Sequence, residues 1–129
     1  MALAWLFEDE GTAAMDEVLR RMVTKGGIVP SLWRLEVANA FQIAIRRGRC
    51  DEGYVDRSLE YLAELPIATD DETNDHAWGA TKALAREHGL TLYDAAYLEL
   101  ALRLRRPLAS CDAALIGAAK ARGLQTLSA

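Results

Sequence analysis

The chain has 129 residues, of which 51% are hydrophobic and 26% are charged. This length and composition suit one soluble globular domain, residues 1–129. The formal net charge of −4 argues against a general nucleic-acid coat protein. Cys50 and Cys111 have neither the number nor the spacing of a disulfide framework or a zinc site. No apolar stretch approaches the roughly 18 residues of a membrane span, and the opening MALAWLFEDE lacks a basic secretion leader, so a cytoplasmic protein with no membrane partner is expected.

Helical and extended segments alternate along the chain. Hydrophobic periodicity and helix-ending residues predict six helices, at residues 12–25, 32–47, 51–64, 72–88, 92–105 and 113–122. Short apolar runs predict strands at residues 28–30, 65–68, 107–110 and 124–127. Ser31 is expected to cap the second helix. This alternation predicts a parallel sheet covered by helices on both faces, with ligands bound beyond the carboxyl ends of its strands.

An aspartate interrupts the apolar run LTLYDAAYLELA in the fifth predicted helix. Because each helical residue advances about 100° around the axis, Asp94 falls on the same side as Tyr97, the side expected to be buried. Glu99 and Arg103 are expected on the opposite, solvated face as an i, i+4 ion pair. Thr91 and Asp94 could instead form a capping box, a role that is compatible with ligand binding.

Two further acids occupy unusual positions. Glu36, in SLWRLEVANAFQIAIRR, shares its helix face with Ala40 and Ile43 and lies beyond the first turn, so no cap explains it. A buried salt bridge with an arginine is the structural alternative. Asp112, in PLASCDAALIGAAK, sits where a strand gives way to a helix. A simple N-cap is its alternative role, which Ser110 could share.

These three acids point to a cation site. Glu36, Asp94 and Asp112 lie at strand-to-helix junctions or within about two helical turns of one, so a doubly wound fold could bring them to one sheet edge. Carboxylates without histidine or cysteine partners favour a hard cation such as Mg²⁺ or Mn²⁺. Such an ion lowers the pKa of a bound water and neutralises charge that builds on a phosphate.

The segments WRLEVANAF and LTLYDAAYLELALRLRRPLASCD resemble PIN-domain ribonucleases, most of all the VapC-type toxins of toxin–antitoxin pairs, and the resemblance covers essentially the whole chain. It implies a three-layer α/β/α fold with a short parallel sheet, and hydrolysis of RNA assisted by Mg²⁺ or Mn²⁺. By match, Glu36, Asp94 and Asp112 would be the catalytic metal ligands, and Ser110 would support them. A homodimer and a cognate VapB-type antitoxin are further implications.

The sequence departs from this family at its start. The family begins with an apolar strand ending in Asp-x-Ser, some residues before a pattern resembling LAWLF, whereas this sequence starts just after that point. The first strand and its aspartate are therefore expected to be absent. Since that strand lies in the middle of the family's sheet, its loss should leave exposed strand edges and a gap in the core. A start site chosen too far downstream, or an intentional truncation, would explain the difference.

The leading prediction is thus a divalent-metal-dependent endoribonuclease, and the alternative is a catalytically impaired protein that binds an antitoxin-like peptide or dimerises. A nucleotide-binding domain is disfavoured because the chain has neither G-x-G-x-x-G nor a P-loop motif. Arg46, Arg47 and Arg49 could steer an RNA backbone, although cations at a solvated helix end are the more economical interpretation.

Two other features have mainly structural interpretations. The acidic group Asp70, Asp71 and Glu72 precedes a predicted helix, where negative charge is favourable; a second metal site is the less favoured reading. Trp78, like the other tryptophans, is expected in the core or at an interface. Tyr97 is expected to pack beside Asp94.

Overall fold

The computed structural model describes residues 13–128, and helices alternate with short strands throughout them. The helices are α1 (Ala13–Lys25), α2 (Trp33–Arg46), α3 (Glu52–Glu64), α4 (Thr73–Ala77), α5 (Ala80–His88), α6 (Leu92–Leu104) and α7 (Ala113–Ala121). The strands are β1 (Gly27–Val29), β2 (Ile67–Thr69), β3 (Leu108–Ser110) and β4 (Thr126–Ser128). The predicted mixed α/β class is confirmed. Across these residues, no helix combines the length and the apolar character required to cross a membrane.

The prediction of one helix over residues 72–88 is wrong. α4 ends at Ala77 and α5 begins at Ala80. Between them, Gly79 adopts φ −110° and ψ −106°, a backbone conformation far from helical that side-chain-bearing residues disfavour. The break also places Trp78 in solvent, with 89% of its surface exposed, so the expectation of a core position is wrong for this residue.

Ser31 does not cap α2 as predicted. The N-cap residue is Leu32, which makes no side-chain cap hydrogen bond. The backbone N–H of Ser31 instead donates to Thr73 Oγ1 at 3.0 Å. Because that contact spans 42 residues in sequence, local cap preferences could not predict it. It ties the segment after β1 to the start of α4.

The strands form two separate two-stranded sheets, both parallel. In the first, Gly27, Ile28 and Val29 of β1 lie opposite residues 67–69 of β2. In the second, residues 108–110 of β3 lie opposite residues 126–128 of β4. Parallel pairing is therefore confirmed, whereas a single continuous sheet does not form within residues 13–128.

The buried hydrophobic residues of the described chain form two clusters. The larger cluster joins α5, α6, β3 and α7 through buried residues that include Leu84, Leu98, Leu108 and Leu115. The smaller cluster joins α2 to α3 through Val37, Phe41, Ala44 and Leu62. No residue belongs to both clusters. The core of the described chain is therefore divided into two parts.

Helix α6 is the central element of the larger cluster. Thr91 is its N-cap, as predicted, and accepts a hydrogen bond from the Asp94 N–H at 3.1 Å. Its C-cap, Arg105, has φ 54°, a left-handed conformation that non-glycine residues rarely adopt. Six residues of this helix are buried: Ala95, Ala96, Leu98, Glu99, Leu100 and Ala101. A helix buried on several faces can present acidic residues to more than one environment.

Candidate functional site

One cavity of about 800 Å³ lies between the two sheets and is lined by residues of both. Glu36, Asp94, Asp112 and Ser110, all predicted from sequence, contribute to its walls. Tyr97 lines the same cavity. Three carboxylates therefore share one concave surface, although they come from three different helices or helix ends.

Glu36 is held by a hydrogen bond from another helix. The Tyr97 hydroxyl donates to Glu36 Oε1 at a distance of 2.5 Å. Burial, followed by this bond and the charges of Glu36 and Asp94, raises the pKa of Tyr97 well above its usual value of 10. The phenol consequently remains a proton donor at neutral pH. Glu36 is exposed to solvent, so the prediction that it is buried is wrong, and so is the salt bridge offered as its alternative.

Asp94 lies in the first turn of α6 and is half-buried. The cap contact with Thr91 uses the backbone N–H of Asp94, so the Asp94 carboxylate takes no part in that bond. Its charge contributes to the raised pKa of Tyr97 one turn further along the helix. Asp94 and Glu36 thus act electrostatically on the same phenol, which places them on one side of the cavity.

Asp112 has the capping role that was its alternative interpretation. Its Oδ1 accepts a hydrogen bond from the Leu115 N–H at 2.9 Å, at the start of α7. Ser110 is buried, and its Oγ accepts from the Asp112 N–H at 2.9 Å. These two bonds fix the turn between β3 and α7. Asp112 is itself exposed, and a capping bond to one oxygen leaves the other able to bind a ligand.

The three carboxylates do not converge into a closed cluster. Within residues 13–128, the group of acids with oxygen atoms all within 4.8 Å of one another is a different one, Asp70 with Asp71 and Glu72. Nor does any arginine or lysine of the described chain form an ion pair with Glu36, Asp94 or Asp112. The three cavity carboxylates therefore stand apart from one another and form no ion pair within the described chain.

The acids at positions 70, 72 and 99 have a cationic partner, Arg103. Arg103 Nη2 donates to Asp70 Oδ2 at 2.6 Å, and Nε donates to Glu99 Oε2 at 2.8 Å. Glu72 Oε2 lies 3.5 Å from Nη1. Arg103 lowers the pKa of Asp70, chiefly through these hydrogen bonds. Because Arg103 already supplies positive charge here, this acidic group has less need of a metal than the cavity acids do.

The predicted setting of the Glu99–Arg103 pair is wrong. The i, i+4 contact forms, but only 7% of the Glu99 side chain and 18% of the Arg103 side chain are exposed. The face expected to be solvated packs against the segment that follows β2, where Asp70 is 6% exposed. Helical spacing predicted the contact of Arg103 with Glu99 within α6. It could not predict the contact with Asp70, which lies 33 residues away.

The arginines predicted to steer RNA lie elsewhere. Arg46, Arg47 and Arg49 are exposed at the end of α2, and none of them lines the cavity. Three other basic residues do line it: Arg21, Lys25 and Arg106. Sequence reasoning missed these because no motif marks them: Arg21 lies within α1, and Lys25 and Arg106 each come two residues before a strand.

No protein-family model matches the chain, and no characterised protein matches it.

Proposed function

We propose that this protein is a Mg²⁺- or Mn²⁺-dependent endoribonuclease of the PIN-domain type, which hydrolyses phosphodiester bonds of RNA. The observation that carries the proposal is the common cavity lined by Glu36, Asp94 and Asp112 without a pairing cation in the described chain. Carboxylates from separate elements that line one concave surface are a typical setting for a ligand site. The three-layer α/β/α arrangement of that family belongs to the proposal, which the alternation of helices with parallel strands supports.

The donor chemistry of the cavity fits a hard divalent cation. Its candidate ligands are carboxylate oxygens, the class that Mg²⁺ and Mn²⁺ prefer. Because the three groups stand apart, waters would complete the coordination, as is usual for Mg²⁺. When bound, such an ion would supply an activated water and a counter-charge for the phosphate.

The residues of the chain have separate roles in this scheme. Tyr97 keeps Glu36 in one orientation by donating a hydrogen bond to its carboxylate. Asp112 and Ser110 are fixed by the turn before α7, so a ligand at Asp112 would meet an ordered backbone. The basic residues Lys25 and Arg106, at the same cavity, could bind phosphates of the RNA on either side of the cleaved bond.

The test compares Asp94→Asn with Glu60→Gln, a matched loss of one carboxylate at an exposed site on α3. Calorimetric titration with Mn²⁺ and cleavage of a fluorescent RNA are measured for both variants and the wild type. We expect Asp94→Asn to weaken Mn²⁺ binding and to reduce metal-dependent cleavage at least tenfold, with Glu60→Gln unchanged. Cleavage by Asp94→Asn at the wild-type rate would remove Asp94 from the mechanism.

The resemblance also leads us to propose a VapB-type antitoxin and a homodimer as partners. Co-expression with a candidate antitoxin, followed by sedimentation of the complex, measures both expectations. An antitoxin that masks the cavity should abolish the heat of Mn²⁺ binding. A monomer at every concentration tested would contradict the dimer.

A catalytically impaired binding protein is the second candidate. It is favoured by the spacing of the cavity carboxylates, which do not all approach within 4.8 Å. In that case Mn²⁺ would give no heat above background, while partner binding would persist. The same titration therefore separates the two candidates.

A further inference from the structure

The cavity between the sheets has the form of a slot bordered by strand edges. β1 and β3 both line it along their lengths, together with the residues immediately before and after β3. In the described chain, β1 bonds to β2 and β3 bonds to β4, with no ladder between β1 and β3. Unpaired strand edges are templates for a further strand.

The hydrogen-bond alternation shows which peptide groups face the slot. The Gly27 N–H donates to Pro66, and the Val29 carbonyl accepts from Asp70, so these two β1 residues face β2. Successive residues of a strand direct their N–H and C=O to opposite edges. The peptide groups of Ile28 therefore face away from β2, toward the slot.

The same reasoning applies to β3. The Leu108 N–H donates to the Gln125 carbonyl on the β4 side, so the N–H and C=O of Ala109 face the opposite edge. Ile28 and Ala109 each offer one donor and one acceptor to whatever lies between them. A strand inserted there would sit about 4.8 Å from each neighbour.

β1 and β3 run in the same direction beside the slot. α2 follows the end of β1, and Glu36 in this helix bonds to Tyr97 near the start of α6. α6 is joined by a short turn to the start of β3, so the beginning of α6 lies near the end of β3. Both strands therefore end on the side of the acids. An inserted strand could be parallel to both.

The slot is apolar along its length and charged at its ends. Its walls include Val37, Leu100, Leu108 and Leu115. Lys25 and Arg106 precede β1 and β3 by two residues each, while Glu36, Asp94 and Asp112 all follow or face the ends of these strands. A bound strand in parallel orientation would place its amino end near the bases and its carboxyl end near the acids.

We propose that this slot accepts one β-strand of a partner polypeptide, inserted parallel to β1 and β3. By its charge pattern, the slot fits a partner strand with an acidic residue first, then a run of apolar residues without proline, then a lysine or arginine. The chain's own apolar opening has the opposite order, since MALAWLF is followed by the acids EDE. Its insertion would add carboxylates to the acidic end. This proposal does not depend on RNA cleavage.

The experiment uses synthetic peptides and the full chain. The probe is a labelled heptapeptide, Asp-Val-Ile-Val-Ala-Val-Lys, and its binding is followed by fluorescence anisotropy. The first control is the peptide with its sequence reversed, which keeps composition and hydrophobicity but inverts the charge order. The second control carries N-methyl groups on its central amides, so that it remains apolar but cannot complete the backbone hydrogen bonds.

We expect the probe to bind at least tenfold more tightly than either control. In nuclear magnetic resonance spectra, the amide protons of Ile28 and Ala109 should shift as they acquire acceptors. Equal binding of the reversed peptide would overturn the charge-defined orientation. Equal binding of the N-methylated peptide, no binding of the probe, or binding without a change at Ile28 and Ala109 would overturn the strand slot itself. Loss of RNA cleavage in a separate assay bears only on the nuclease proposal.

Discussion

Replacing Arg103 by methionine tests how deeply its ion pairs are buried. The substitution keeps most of the apolar stem but removes the charge that faces Asp70 and Glu99, whose side chains are 6% and 7% exposed. Removing one partner from a buried ion pair destabilises proteins by about 3–5 kcal/mol, because the remaining charge lacks compensation. Typical total stabilities are about 5–15 kcal/mol, so a loss of this size would be prominent in urea denaturation at pH 7.

The pH dependence of that loss provides a sharper test. In the wild type, the lowered pKa of Asp70 gives stability that is present above its ordinary value of 3.8 and is lost as the pH falls further. In Arg103→Met, burial without a cation raises the pKa of Asp70, so that variant gains stability as the pH falls through the raised value. The difference between the two proteins should therefore shrink by about 1 kcal/mol or more from pH 7 to pH 5.

Arg34→Met is the matched control, since Arg34 is exposed on α2 and its loss should change stability by no more than about 0.5 kcal/mol. Combining Arg103→Met with Asp70→Asn and Glu99→Gln should recover part of the loss, because no buried carboxylate is then left charged without a cation. A loss below about 1 kcal/mol at pH 7, or one independent of pH, would show that solvent screens the pair and would refute the reasoning.

Three further predictions concern the cavity and the core. Asp112→Ala should lower the free energy of unfolding by about 1 kcal/mol through loss of the cap, whereas Asp112→Ser should retain most stability yet weaken Mn²⁺ binding; equal stability of both variants in urea would contradict the capping role. Tyr97→Phe should lower the free energy of unfolding by about 1 kcal/mol. Near pH 10, the phenolate absorbance of its remaining tyrosines should equal that of the wild type, because the raised pKa keeps Tyr97 protonated in the wild type. A weaker signal from the variant would contradict this. Leu98→Ala, at a position with 0% exposure, should destabilise the protein by about 2–5 kcal/mol in thermal or urea unfolding. A smaller change would indicate that neighbouring side chains move into the space left by the leucine.

Local features of the sequence predicted local structure well. The start of α6 at Leu92 follows from Thr91, because a threonine hydroxyl can satisfy an N–H at the first turn. The cap at Asp112 and the i, i+4 contact between Glu99 and Arg103 have the same local origin. In each case the interacting groups lie within four residues, so spacing alone brings them together.

Long-range contacts explain where the predictions were wrong. The burial of Glu99 depends on Asp70, which reaches Arg103 across 33 residues. Ser31 does not cap α2, and its backbone N–H donates to Thr73, 42 residues away. The break near Gly79 was missed because a single glycine inside a helical segment is also compatible with a continuous helix. That Glu36, Asp94 and Asp112 would share a cavity was an expectation from topology, and their separation within it depends on packing that no motif encodes.

The division of the hydrophobic core has a consequence for the dynamics of the molecule. The α2–α3 cluster and the α5–α7 cluster share no buried residue, and polar links such as Arg103 to Asp70 bridge the two parts. Cooperative units of a native protein tend to follow such divisions. Native-state hydrogen exchange should therefore resolve two opening transitions of different free energy, the α2–α3 portion opening at lower free energy because its cluster is smaller. Both would merge into one global transition if a strand bridged the two sheets.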